Sequence, residues 1–169
     1  MNISTANPLI FVEDGGCIKK EEFRLVLETH HIGFSVKSLE RSIQFYNEGL
    51  GLELIQRIPG PKEYHSLISG YPGTHLEIAF LQLPNNNVLE LIEYVSPRGE
   101  AMDMETYRPG NVHLALVVDD LRATIARLKE FGGTPRSPEP VTITSGPNKG
   151  RLVVYLRGPD GISLELFED

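Results

Sequence analysis

The sequence predicts an α+β fold built from two successive copies of one strand–helix–strand–strand–strand module, βαβββ. Three observations carry this. The stretch His31-Ile-Gly-Phe-Ser-Val36 recurs as His113-Leu-Ala-Leu-Val-Val118. The match continues at one offset, 113 − 31 = 133 − 51 = 82: Leu39 falls on Leu121, Ser42 on Thr124, Ile43 on Ile125, Glu48 on Glu130 and Gly51 on Gly133. Each copy also passes from a period-two apolar pattern into a helical one and back, and a fixed-period repeat marks a duplicated supersecondary unit.

Taken in order, residues 1–24 read as an irregular arm broken at Asp14-Gly-Gly16, and residues 25–96 as the first module. Leu25 to Val36 reads as a strand. Ser38 is placed to cap a helix running to about Glu48, with Leu39, Ile43 and Tyr46 on one face and Gly49 and Gly51 as stops. Leu52 to Ile58 alternates like a strand. Pro59 to Gly73, with three prolines and three glycines, reads as an irregular insert. Leu76–Leu83 and Val88–Val95 read as strands joined by Pro84-Asn-Asn-Asn87, a hairpin signal.

A linker, residues 97–110, leads to the second module, 111–169. It comprises a strand at Val112–Val118, a helix capped by Asp119 or Asp120 and ending near Phe131, and a short strand near Pro135. A polar loop, Thr142–Gly150, then precedes strands at Leu152–Leu156 and Ile162–Phe167, joined by Gly158-Pro-Asp-Gly161. Neither module alone covers both faces of its sheet. The pair is therefore expected to join into one larger curved, mixed sheet.

Bulk composition narrows the function. The net charge is −7, and Lys19-Lys20 is followed at once by Glu21-Glu22, so neither nucleic acid nor an anionic membrane is an expected partner. The longest apolar runs fall far short of a membrane span. Pro8-Leu-Ile-Phe-Val12 is too short for a signal core and follows no basic residue. The single cysteine, Cys17, excludes an internal disulfide and fits a reducing, cytoplasmic setting. A small-molecule substrate is the expected partner.

Strand parity selects four residues. In the first strand Ile32, Phe34 and Val36 share the apolar face, so His31, Gly33 and Ser35 point the other way. His113, Ala115 and Val117 do the same in the repeat. In the last strand of each module, Glu90 and Glu165 each stand between leucines, on the face away from the helix. Any one of these alone fits a strand rim or a solvated sheet face. Together, at repeat-related positions, two imidazoles and two carboxylates make a donor set for a divalent metal, which would neutralise the partly buried carboxylates. Small Gly33, Ser35 and Ala115 would leave room above it. His30 has the wrong parity for a ligand, and His65 and His75, in or beside the insert, read as surface residues.

The same residues resemble a known family. His31-Ile-Gly-Phe-Ser-Val, Leu39, Phe45-Tyr46 and Gly49-Leu-Gly-Leu52 are similar to the opening module of the vicinal oxygen chelate superfamily, which includes glyoxalase I, methylmalonyl-CoA epimerase and extradiol dioxygenases. Fosfomycin-resistance enzymes and bleomycin-binding proteins also belong to it. Asn111-Val-His-Leu-Ala-Leu-Val-Val-Asp-Asp-Leu121 and Gly158-Pro-Asp-Gly-Ile-Ser-Leu-Glu-Leu-Phe167 agree, so the resemblance covers roughly residues 27–168. It implies paired βαβββ modules and metal ligands at His31, Glu90, His113 and Glu165, a set like that of bacterial glyoxalase I and close to the epimerases. The implied metal is Zn, Ni, Co, Mn or Fe. The implied reaction is proton abstraction next to a carbonyl through a metal-held enediolate, with Glu165 or Glu90 as the base.

For substrate binding, Lys149 and Arg151 in the loop Ser145-Gly-Pro-Asn-Lys-Gly-Arg151 offer charge for an anionic group, and Tyr94 offers a hydroxyl on the face of Glu90. Two rivals belong to other classes. An Fe(II) extradiol dioxygenase would use His31, His113 and Glu165, and would consume oxygen with a catechol. A small-molecule-binding, resistance-type protein would show no response to metal. The resemblance also implies a homodimer whose sites can draw one module from each chain. Finally, Glu90 − His31 is 59 residues and Glu165 − His113 is 52, so the first module is seven longer, a difference the reading places in the Pro59–Gly73 insert.

Overall fold

The computed structural model describes residues 10–11, 17–18, 26–59 and 62–169; the rest of the predicted arm, and Leu25, lie outside the described residues. Within the arm, β1 (Ile10–Phe11) and β2 (Cys17–Ile18) pair antiparallel, so this part is a short ribbon rather than irregular chain.

The first module consists of β3 (Ile32–Val36), α1 (Leu39–Ile43, continued by a π-helical turn Gln44–Gly49), β4 (Leu54–Pro59), α2 (Lys62–Ser69), β5 (His75–Gln82) and β6 (Val88–Ser96). The second consists of β7 (His113–Val118), α3 (Leu121–Glu130), β8 (Thr134–Pro135), β9 (Val141–Thr142), β10 (Leu152–Arg157) and β11 (Ser163–Glu168). The first strand starts at Ile32, well after the predicted Leu25; Val26 and Leu27 are exposed.

The strand orders are β3-β6-β5-β4 and β7-β11-β10-β8, with β9 also on β10. In each sheet the first strand runs parallel to the last, with Gly33 opposite Glu90 and Ala115 opposite Glu165, and the other pairings are antiparallel. The α+β class and the duplicated βαβββ order are therefore observed. The expected single curved sheet is not: the strands form two ladders, of four and five strands. The modules pack together through their helices, where Gly49 approaches Leu128 and Phe131 and apolar side chains of both are buried together.

One core runs through both modules, from Phe34, Ile43, Phe45 and Leu91 to Leu121, Leu128, Leu156 and Leu164. The π-helical turn brings consecutive Phe45 and Tyr46 into it together, at 0% and 1% exposure. Gly49 lets the helices approach closely, because a Cβ there would lie 3.2 Å from the Leu128 and Phe131 side chains. Next to it the Arg127 guanidinium donates to the Glu48 and Gly49 carbonyls.

The helix starts repeat as faithfully as the strands. Ser38 and Asp120 cap α1 and α3 through their side chains. In addition, the Leu39 amide donates to Glu93 (2.7 Å) and the Leu121 amide to Glu168 (3.0 Å). The offsets match those of the predicted ligands: 121 − 39 = 82 and 168 − 93 = 165 − 90 = 75. A carboxylate at a helix N-terminus satisfies an orphan amide and complements the helix dipole. Each last strand thus carries one glutamate toward its helix and one away from it.

The turn Gly158-Pro-Asp-Gly161 also links the modules. Asp160 accepts from the Lys37 amide (2.9 Å) and from the hydroxyl of fully buried Ser42 (3.0 Å). Burial, and secondarily the charge of Asp160, raise the pKa of the neighbouring Tyr46 phenol. Replacing Asp160 by Ala leaves the Ser42 hydroxyl buried without this acceptor. The expected cost is about 2 kcal/mol of stability, read as a lower denaturant midpoint at an unchanged slope.

The Pro59–Gly73 insert corrects the sequence reading twice. It contains α2 rather than irregular chain, and the second module has no helix at the equivalent place, which accounts for the length difference. His65 is not on the surface: it is 1% exposed, and its Nδ1 accepts from the Leu76 amide at 3.0 Å, fixing α2 to β5. The Thr74 amide donates to the Ser66 hydroxyl and the Ser69 hydroxyl donates to that of Thr74, which ties the following loop to the same helix. Tyr64, Leu67, Ile68 and Tyr71, at helical spacing, form an exposed apolar stripe. His75 is half-exposed and lies 3.4 Å from Glu77. No helix among the described residues is long and apolar enough to cross a membrane.

Candidate metal centre

The four predicted ligands are brought together as two pairs. In the first module His31 Nε2 lies 3.2 Å from Glu90 Oε2, and in the second His113 Nε2 lies 3.2 Å from Glu165 Oε2. Parallel pairing of the first and last strand produces this geometry in each sheet. Both pairs stand on the face away from the helices, as strand parity requires. The glutamates are the more enclosed partners, with side chains 13% and 20% exposed.

The two pairs do not meet within one chain. Among the described residues no three His, Cys, Asp or Glu side chains converge as a metal site. The two pairs stand on separate strand ladders, one in each module.

The surroundings of each pair nevertheless suit a cation. An enclosed carboxylate facing an imidazole nitrogen needs a positive partner, and both atom types are divalent-metal donors. A Cβ on Gly33 would sit 3.3 Å from Glu90 Oε2, so glycine there leaves the carboxylate its place. His30, excluded as a ligand by parity, has its Nδ1 2.7 Å from His31 Nδ1. The His31 Nε2 is thereby left facing Glu90, the arrangement in which an outer partner orients a metal-binding imidazole.

A third member of each pair escaped the sequence reading. The ring of Phe80 lies edge-on to His31 (centroids 6.4 Å apart), and the ring of Tyr155 edge-on to His113 (5.4 Å). Phe80 is opposite Glu90 and Tyr155 opposite Glu165, and 155 − 80 is again 75. The modules differ here, since only the second supplies a hydroxyl. Burial, then the charge and hydrogen bond of Glu165, raise the Tyr155 pKa.

The predicted substrate contacts lie as follows. Tyr94 is half-buried on β6, two residues from Ile92 and four from Glu90 on the same face. Lys149 is exposed in the Ser145–Arg151 loop, its amide bonded to the Gly146 carbonyl. The Arg151 guanidinium donates to the Glu168 carbonyl, approaches Asp169 at 3.6 Å and stacks over Phe167. Arg151 is thus folded back onto β11.

Two adjacent βαβββ modules, each carrying one His/Glu pair on its open sheet face, define a class of duplicated α+β proteins. Residues 28–166 match the sequence profile of the Glyoxalase/Bleomycin resistance protein/Dioxygenase superfamily, and the chain belongs to that superfamily. It is 33% identical over 142 residues to a 2-epi-5-epi-valiolone epimerase of an Actinomyces species, covering 82% of this chain and 77% of that protein. It is 30% identical over 142 residues to the lactoylglutathione lyase of Salmonella typhimurium, covering 82% and 90%. In fold it is similar to a glyoxalase family protein of Bacillus cereus: TM-score 0.75, 23% identity, with 87% of this chain and 97% of that one covered.

Proposed function

We propose that the protein is a divalent-metal-dependent lyase or epimerase that moves a proton at a carbon next to a carbonyl. The two His/Glu pairs would be joined into one centre by a second copy of the chain. The observation that carries the proposal is the duplicated pair itself: two imidazole–carboxylate contacts of the same length, 3.2 Å, at repeat-related positions. The relatives named as a lyase and as an epimerase support the same class. Glu90 lies against His31, so the donor set contains one carboxylate more than the His/His/Glu set of the dioxygenase alternative.

His31, Glu90, His113 and Glu165 would hold the ion, which would supply a Lewis acid for a substrate carbonyl oxygen. The remaining chemistry belongs to side chains of this chain. A carboxylate on the open face, Glu165 or Glu90, accepts the proton from the carbon and returns it. Tyr155 lies where it can hold the Glu165 carboxylate. His30, with its Nδ1 2.7 Å from His31 Nδ1, holds the orientation of the His31 ring.

Metal content and activity test the reading together. Loading with Ni, Co, Zn or Mn is expected to give about one ion per pair of His/Glu half-sites, and turnover of a 2-oxo substrate that chelation removes. A protein that binds none of these ions argues against it. Gly33→Val, which drives a side chain against Glu90 Oε2, is expected to weaken metal affinity about tenfold by calorimetry while leaving the fold intact.

A further inference from the structure

Beside the first His/Glu pair lies a cavity of about 300 Å³, lined by His30, His31, Ile55, Gln56, Ile58, Phe80 and Val88. Ile55 and Ile58 remain 47% and 38% exposed in the folded chain. Apart from the two imidazoles and the Gln56 amide, the lining is hydrocarbon. Its volume is at the lower end of ordinary ligand pockets, and an apolar cavity of about half that size admits benzene.

We infer that this cavity receives an uncharged, apolar substituent of the substrate, an alkyl or aryl group on the carbonyl compound whose oxygens face the His31–Glu90 pair. The inference rests on the metal reading above and narrows it to a substrate class.

Charge supports the assignment. On the open face of the first sheet, strand parity places Gly33 and Ser35 from β3, Val88, Glu90, Ile92 and Tyr94 from β6, and Ile78, Phe80 and Gln82 from β5. None is a lysine or arginine. Arg57, the one arginine on β4, bonds to Glu40 of α1, and Arg98 bonds to Glu93. An anionic tail lying along these strand positions would meet the Glu90 carboxylate and no lysine or arginine among the described residues of this face.

The second module differs at the equivalent positions. Phe80 and Gln82 become Tyr155 and Arg157 at the same offset, 155 − 80 = 157 − 82 = 75. Arg157 lies 3.0 Å from Glu105, which also holds Arg136. The duplicated site is therefore apolar on one side and polar on the other. A substrate spanning it would place its hydrocarbon end against the first module.

A larger groove, of about 820 Å³, is the alternative location for a substrate. It is lined by Glu40, Arg41, Gln44, Glu48 and Lys129 among others, lies on the helix side, and contains none of the four ligand residues.

The test uses straight-chain hydroxamates, bidentate oxygen chelators, from acetohydroxamate to octanohydroxamate, titrated calorimetrically into the metal-loaded protein. Affinity is expected to rise about fourfold per methylene until the cavity is filled. Octanohydroxamate should bind at least tenfold more tightly than a chain of equal length ending in a carboxylate, and Ile55→Asp should abolish the gain with length. Tight binding of every hydroxamate with no dependence on chain length, or equal binding of the carboxylate-ended probe, overturns the apolar assignment and leaves the metal reading standing.

A second measurement does not depend on metal. With the metal-free protein, 1-hexanol should shift the backbone amide signals of Ile55, Ile58, Phe80 and Val88, and fail to do so in Ile55→Asp. Shifts elsewhere only would overturn the assignment. Hexanol shifts at these residues in a protein that binds neither metal nor hydroxamate would overturn the metal reading alone.

Discussion

Glu165→Gln is expected to lower kcat by about 10³-fold while leaving the fold and metal content close to wild type. The amide keeps the size of the carboxylate and one oxygen donor, but it cannot accept the substrate proton. Loss of a positioned general base costs on the order of 10²–10⁴ in rate. Glu165 is the better placed of the two carboxylates for that role. Tyr155 approaches it with a hydroxyl, and a phenol that bonds to a carboxylate holds it in one orientation. Glu90 has Phe80 at the equivalent place, which offers no such bond. The parallel variant Glu90→Gln is expected to weaken metal binding more than Glu165→Gln does. Full activity in Glu165→Gln would remove that residue from the proton transfer. Loss of metal together with activity would make it a ligand only.

Much of this arrangement is legible in the residues before any coordinates. The constant offset of 82 aligns both first strands and both helices, and strand parity alone separates His31 and Glu90 from the leucines around them. Phe80 and Tyr155 obey the offset of 75 just as Glu90 and Glu165 do, yet an aromatic on an alternating strand reads as core packing, so the pair passed unnoticed. Glu93 and Glu168 were missed for a related reason. A glutamate on the helix side of a buried strand looks misplaced until the orphan amides of the neighbouring helix are counted. The insert misled through its prolines and glycines, which flank α2 rather than interrupt it. The spacing of Tyr64, Leu67, Ile68 and Tyr71 was the available signal. What parity cannot report is how the two sheets are placed, because that depends on which apolar faces the helices bury together.

Mixing two inactive variants, His31→Ala and His113→Ala, is expected to restore activity. In a twofold dimer whose sites each combine the first module of one subunit with the second module of its partner, a mixed dimer has one site lacking both histidines and one site with neither changed. Random reassociation makes half of the dimers mixed, so about a quarter of wild-type activity should return. If each site were instead completed within one chain, every site in the mixture would lack one histidine, and no activity would return. The contacts between modules argue for the first outcome. Bringing both His/Glu pairs together in one chain would require the sheets to swing about the helix junction. That would break the Arg127 bonds to the Glu48 and Gly49 carbonyls and the Asp160 bonds to Ser42 and Lys37. It would also open a core in which Leu121, Leu128, Leu156 and Leu164 are fully buried. Completing the site with a second copy disturbs none of these, and it covers the exposed face that carries Val117 and Tyr155. Subunit exchange through a denaturation–renaturation cycle, followed by an activity assay across mixing ratios, should give recovery that peaks at equal amounts of the two variants.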